Sequence, residues 1–171
     1  MQQRLPERLD PVSLIRNRRQ LAGRLSTARM ARLTPRLEEQ DVELEVELDF
    51  GTSEAGTRYI AGRIRGELRL RCERCLEPLR FPVDLDFRLA LIESEALADR
   101  IPEEFEPLVY AGEPLSLSDL IEDELLLALP MFAVHADEAG CGARQAQSEP
   151  EQVAGQRDNP FAVLEKLKRD E

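Results

Sequence analysis

Residues 42–50, VELEVELDF, alternate without a break, with Val42, Leu44, Val46, Leu48 and Phe50 on one side and Glu43, Glu45, Glu47 and Asp49 on the other. A period of two is that of a strand with one buried and one wet face. After a loop of Gly, Thr, Ser and Glu, the alternation resumes with Ile60, Ile64, Leu68 and Leu70 set between Arg63, Arg65, Arg69 and Arg71. A third run carries Leu79, Phe81, Val83, Leu85, Phe87, Leu89 and Leu91. If the first two runs pair as a hairpin, an acidic outer face lies beside a basic one, with opposite charges across the strands. The stretches around Leu25 and Leu108–Tyr110 are candidates for further edge strands.

The period changes elsewhere. Ser116-Leu117-Ser118-Asp119 supplies capping chemistry for a helix that Pro130 must end, with Leu117, Leu120, Ile121, Glu124, Leu125 and Ala128 at helical spacing. Asp10-Pro11 predicts a second helix start, continued by Val12, Leu14 and Ile15 and ended at Gly23. A weaker start at Ser26 covers Ala28–Leu33, before Pro35. The elements add up to an α+β fold: an antiparallel sheet of several strands packed against a Leu-rich helix, with a helical N-terminal segment. Residues 142–158 read as a polar linker. Asn159-Pro160 then opens a short amphipathic helix bearing Phe161, Val163, Leu164 and Leu167, a docking element on a flexible tether. The expected organisation is one domain over 1–141, a linker over 142–158 and a docking helix over 159–171.

The 171 residues suit a single hydrophobic core. No run is long and apolar enough to span a bilayer, and the first residues lack the apolar stretch of a signal peptide, so a cytoplasmic protein with no membrane contact is expected. The net charge of −11 hides segregation: +7 over residues 1–36, −8 over 37–57, +4 over 58–80 and −14 over the remainder. Separation of this kind steers charged partners. Its plainer meaning is a set of solvated faces that neutralise one another across neighbouring strands.

The sharpest chemical feature is Cys72-Glu73-Arg74-Cys75, set between two alternating runs. Two thiolates at this spacing on a hairpin tip form half of a zinc knuckle. The only other cysteine and the only histidine, Cys141 and His135, fall together after the Leu-rich helix. A structural zinc held by Cys72, Cys75, His135 and Cys141 would use every soft ligand in the chain and clip that segment to the sheet. The alternative is burial of the cysteines as small residues. A thioredoxin-like redox pair is disfavoured because the flanks alternate as strands. With one histidine and no nucleophile motif, nothing points to an enzyme or a small-molecule substrate. Glu122-Asp123-Glu124 reads as a solvated acidic face near a helix N-terminus.

The stretches LDPVSLIRNRRQLAG at 9–23, LRCERCLEPL at 70–79, LSDLIEDELLLALPMFAVH at 117–135 with Cys141 beyond, and NPFAVLEKLK at 159–168 resemble the YceD family. The resemblance spans nearly the whole chain and implies a non-enzymatic role in synthesis, processing or stability of large-subunit (23S) ribosomal RNA, most simply in early large-subunit assembly. It brings no catalytic residue. Two routes to that role are open. Arg16, Arg18, Arg19 and Arg24 could contact pre-ribosomal RNA. Alternatively the acidic remainder could hold a basic RNA-binding or ribosomal protein as an adaptor, with Asn159, Pro160, Phe161 and Leu164 as a partner-binding element. A net negative chain is a poor non-specific RNA binder, which inclines the sequence reading toward the adaptor.

Overall fold

In a computed structural model the described residues are 5–136 and Cys141. Strand β1 (Arg8–Leu9) leads into helix α1 (Pro11–Arg16), followed by β2 (Gln20–Ser26), β3 (Glu43–Thr52), β4 (Arg58–Arg71), β5 (Pro78–Ile92), β6 (Glu106–Val109), β7 (Leu115–Ser116) and helix α2 (Leu117–Ala128). Five strands form one sheet in the order β2-β3-β4-β5-β6, antiparallel except for β6, which runs parallel to β5. Both candidate edge segments are edge strands. The short pair β1-β7 ties the start of the described chain to the start of α2, with Leu9 opposite Leu115.

The alternation decides which face is covered. Leu44, Val46, Leu48 and Phe50 of β3 and Ile60, Ile64 and Leu68 of β4 are almost fully buried. They join Ile15 of α1 and Leu117, Leu120, Ile121 and Leu125 of α2 in one core. The Leu-rich helix thus closes the sheet's apolar face, as its pattern predicts. The Phe87 ring lies across Gly62, where a Cβ would stand 2.1 Å from it, so a side chain at 62 would displace the ring.

On the other face the charges pair, though not with the partners the pattern suggests. Glu45 and Glu47 lie opposite Arg65 and Arg63 in the β3-β4 register. Among the described residues, however, the ion pairs of these arginines reach the next strand: Arg63 to Asp84 (2.8 Å) and Asp86 (3.6 Å), and Arg65 to Asp84 (3.6 Å). Arg80 pairs with Glu67, Arg69 with Glu39 and Arg71 with Glu38. This sheet face is self-neutralised, and each exposed pair contributes at most about 1 kcal/mol.

Three local expectations are corrected. The first helix does not run to Gly23. Asp10 caps it as expected, accepting the Ser13 N–H at 3.1 Å, but the helix stops at Arg16. Arg18 there adopts a left-handed backbone (φ 46°), and Arg19 N–H returns to the Leu14 carbonyl in the six-residue bond of a Schellman ending. Leu21, Gly23 and Leu25 then alternate inward along β2. The start at Ser26 is a real cap, accepting the Ala28 N–H, but yields only a single 3₁₀ turn over Thr27–Arg29.

The third correction concerns Glu122. It is not on a solvated face: its side chain is 3% exposed. One oxygen accepts the N–H groups of Arg32 (2.6 Å) and Leu33 (2.9 Å), and the other accepts the Arg32 guanidinium. Asp123, beside it, completes the clamp on Arg32 at 2.6 Å. The irregular segment before β3 is thereby pinned to α2 by a buried carboxylate.

Candidate metal centre and cationic corner

The longest hairpin, β4-β5, ends in a loop whose last paired residues are Arg71 and Pro78. Cys72 and Cys75 stand in this loop. Cys72 N–H donates to the Glu77 carbonyl and Leu76 N–H to the Cys72 carbonyl, each at 2.9 Å, which closes a tight knuckle. The knuckle requires a left-handed residue at Leu76 (φ 63°), a position that favours glycine. The segment after α2 is laid against the loop by a bond from Glu73 N–H to the Ala133 carbonyl at 2.8 Å. His135 and Cys141 follow from there.

All four side chains singled out in the sequence converge. The ligand atoms of Cys72, Cys75, His135 and Cys141 lie within 4.8 Å of one another. The Sγ atoms of Cys72 and Cys141 are 3.5 Å apart, and His135 Nδ1 stands 3.5 Å from Cys75 Sγ and 3.6 Å from Cys141 Sγ. A tetrahedral zinc with bonds of about 2.3 Å to sulfur and 2.0 Å to nitrogen separates its ligand atoms by about 3.5–3.8 Å. The donor set fits that ion. His135 Nε2 lies 3.1 Å from the Pro78 carbonyl oxygen, which can only accept, so Nε2 carries the proton and Nδ1 turns its lone pair into the cluster.

The thiols are electrostatically unequal. Burial works against ionisation of Cys72, but the N–H groups of Cys75, His135 and Arg74 and the Cys141 thiol outweigh it and lower its pKa to about 5. Burial, then the neighbouring Cys72 and Cys75 sulfurs, push Cys141 up to about 11. A thiolate beside a thiol that resists losing its proton is an arrangement a divalent cation relieves, because it favours the charged form of every sulfur it touches.

The arginines named in the sequence divide. Arg16, Arg18 and Arg19 are exposed around the Schellman turn, and no carboxylate among the described residues lies within ion-pair distance of them. Arg24 instead faces Glu43 across β2-β3 at 3.2 Å. Asn159, Pro160, Phe161 and Leu164 lie outside the described residues, as do the linker and docking-helix segments.

Sequence reasoning missed a trough of about 840 Å³ on the outer face of the sheet, roofed by residues 103–106. Ala22 and Ala61 leave room for it, and Glu47, Asp49, Asp86, Glu103, Glu104 and Glu106 line it against Arg63 and Arg88. Small outward residues on adjacent strands were the available signal. Among the described residues no helix is long and apolar enough to cross a membrane.

Fold and site together define an α+β domain with a zinc-knuckle-like hairpin tip. Residues 60–168 match the family model described as large ribosomal RNA subunit accumulation protein YceD. The chain is also similar to a Haemophilus influenzae protein named "Large ribosomal RNA subunit accumulation protein YceD", 30% identical over 171 residues and covering 97% of each chain. The protein belongs to the YceD family. No solved structure matches it.

Proposed function

We propose that the protein is a non-enzymatic, cytoplasmic factor for accumulation of the large-subunit (23S) ribosomal RNA, acting early in subunit assembly and contacting RNA through Arg16, Arg18 and Arg19. The observation that carries the RNA contact is the pairing of the arginines: the outer sheet arginines are spent on carboxylates, whereas these three stand exposed and unpaired among the described residues. Phosphate binding needs uncommitted cations held together, and a rigid helix-to-strand turn supplies them. Arg24, committed to Glu43, contributes less. A non-enzymatic role is supported by the convergence of the sole histidine with all three cysteines into one ligand set suited to a structural ion.

The Cys72, Cys75, His135 and Cys141 cluster holds one structural zinc in this reading. The ion ties the segment after α2 to the hairpin tip and does no chemistry, since four protein ligands leave it no open position.

The test is binding to large-subunit RNA over a salt series, for the wild type and for Arg16→Gln/Arg18→Gln/Arg19→Gln. Loss of three phosphate contacts lowers the slope of log K against log salt by about 2–3. An unchanged slope rejects the arginine contact. The acidic trough favours a second reading, an adaptor for a basic protein. It requires a cationic partner that stays bound after nuclease treatment and is released by salt.

A further inference from the structure

Six large apolar side chains stand exposed among the described residues, and five of them, Leu76, Leu127, Met131, Phe132 and Val134, belong to the knuckle, the last turn of α2 or the segment after it. Met131 is 86% exposed and Leu127 75%. The bond from Glu73 N–H to the Ala133 carbonyl holds the segment against the knuckle, so these side chains gather at one end of the molecule. α2 already buries one stripe through Leu117, Ile121 and Leu125, and Leu127 points away from it. Grouped apolar exposure of this kind marks a surface that is covered in use.

We propose that its occupant is the chain's own segment 159–168, NPFAVLEKLK, folded back as an amphipathic helix. Three observations select it over a partner in trans. Phe161, Leu164 and Leu167, with Val163, recur at helical spacing behind an Asn-Pro start and give an apolar strip suited to a groove between a helix end and a loop. Cys141 is buried against Cys72 at this same end, so the tail departs from beside the surface it would cover. A random coil of 17 residues, the length of 142–158, has a root-mean-square span of about 23 Å, which would keep the strip at an effective concentration of order millimolar. Finally, the matched family region, 60–168, holds both surface and strip and ends with the strip's last residue. The proposal goes beyond the ribosomal reading and rests on the seating of Cys141, not on RNA binding.

Amide hydrogen exchange on the full chain, at low and high protein concentration, tests it. In the wild type, peptides covering 125–134 and 159–168 are protected equally at both concentrations. Phe161→Asp/Leu164→Asp raises exchange in both regions by about tenfold, the effect of roughly 1.4 kcal/mol of lost docking, while peptides within 43–71 stay unchanged and report an intact sheet. Phe132→Asp, made separately, releases 159–168 from the other side. A tail that exchanges freely in the wild type overturns the proposal, as does a 125–134 region indifferent to the tail variant. Protection that grows with concentration alongside a dimer in light scattering assigns the surface to a second copy and overturns it too. So does protection that appears only when a cytosolic extract is added.

Discussion

The hairpin tip and the α1-β2 corner both carry chemistry, but they are built in opposite ways. The tip draws its four donors from residues 72 to 141, and they meet only when the sheet and α2 are in place. The corner draws Arg16, Arg18 and Arg19 from four consecutive residues, and one helix ending suffices to display them. A site assembled over long range is tied to stability, so breaking it loosens the fold. A site assembled locally is tied to surface charge, and emptying it leaves the fold alone.

The largest effect expected of that difference follows from removing metal. With free zinc about a thousandfold above its Kd, the proposed ion would contribute about 4 kcal/mol. Chelation, or Cys72→Ser, therefore lowers the thermal midpoint sharply, and metal analysis of the wild type returns one zinc per chain. A wild-type midpoint that ignores chelator would remove the contrast.

Next comes Glu122, a second long-range tie. Glu122→Ala orphans the N–H groups of Arg32 and Leu33 and costs about 3 kcal/mol by denaturant unfolding. Burial works to raise the pKa of this carboxyl, but the Leu33 N–H, the Arg32 guanidinium and the Arg32 N–H prevail and lower it. Its contribution is accordingly present at neutral pH and fades as pH falls below about 4.5.

Glu124, two residues on, has the reverse sign. Burial first, then Glu106 and Asp123, raise its pKa to about 7. The folded state therefore holds the proton more tightly than the unfolded chain, and stability is lost as pH rises from about 4.5 through 7. Glu124→Gln should gain about 1–2 kcal/mol at pH 8, after allowance for solvent screening, and nothing at pH 4. Comparing denaturation midpoints at the two pH values checks it.

The smallest effect belongs to the corner. Arg18→Gly relieves a left-handed backbone and should gain about 0.5–1 kcal/mol, even as it removes one of the three exposed cations. Unfolding and RNA titration on this single variant move in opposite directions if stability and binding are separable there.

The same distinction explains what the sequence made legible. Unbroken alternation from Val42 to Phe50 announced β3 because a period of two has few other causes, and Ser116 with Pro130 bracketed α2 to within a residue. The convergence of Cys72, Cys75, His135 and Cys141 was readable because the chain has no other cysteine or histidine to offer. The end of α1 was not, since arginine occupies the position where glycine would have signalled the stop. Glu122 was misread because an acid flanked by acids looks solvated, and only the distant backbone of Arg32 and Leu33 makes its burial sensible. The parallel strand β6 is specified by its neighbour and not by its own four residues.

The small β1-β7 pair bears on how the protein is made. Arg8 cannot find Ser116 until more than a hundred residues have been synthesised after it. At about 5–20 residues per second, that wait is on the order of ten seconds. The β3-β4-β5 meander can pair during this interval, whereas Leu9 and the cap of α2 have no partners yet. The apolar sheet face is consequently bare while the chain is still attached to the ribosome.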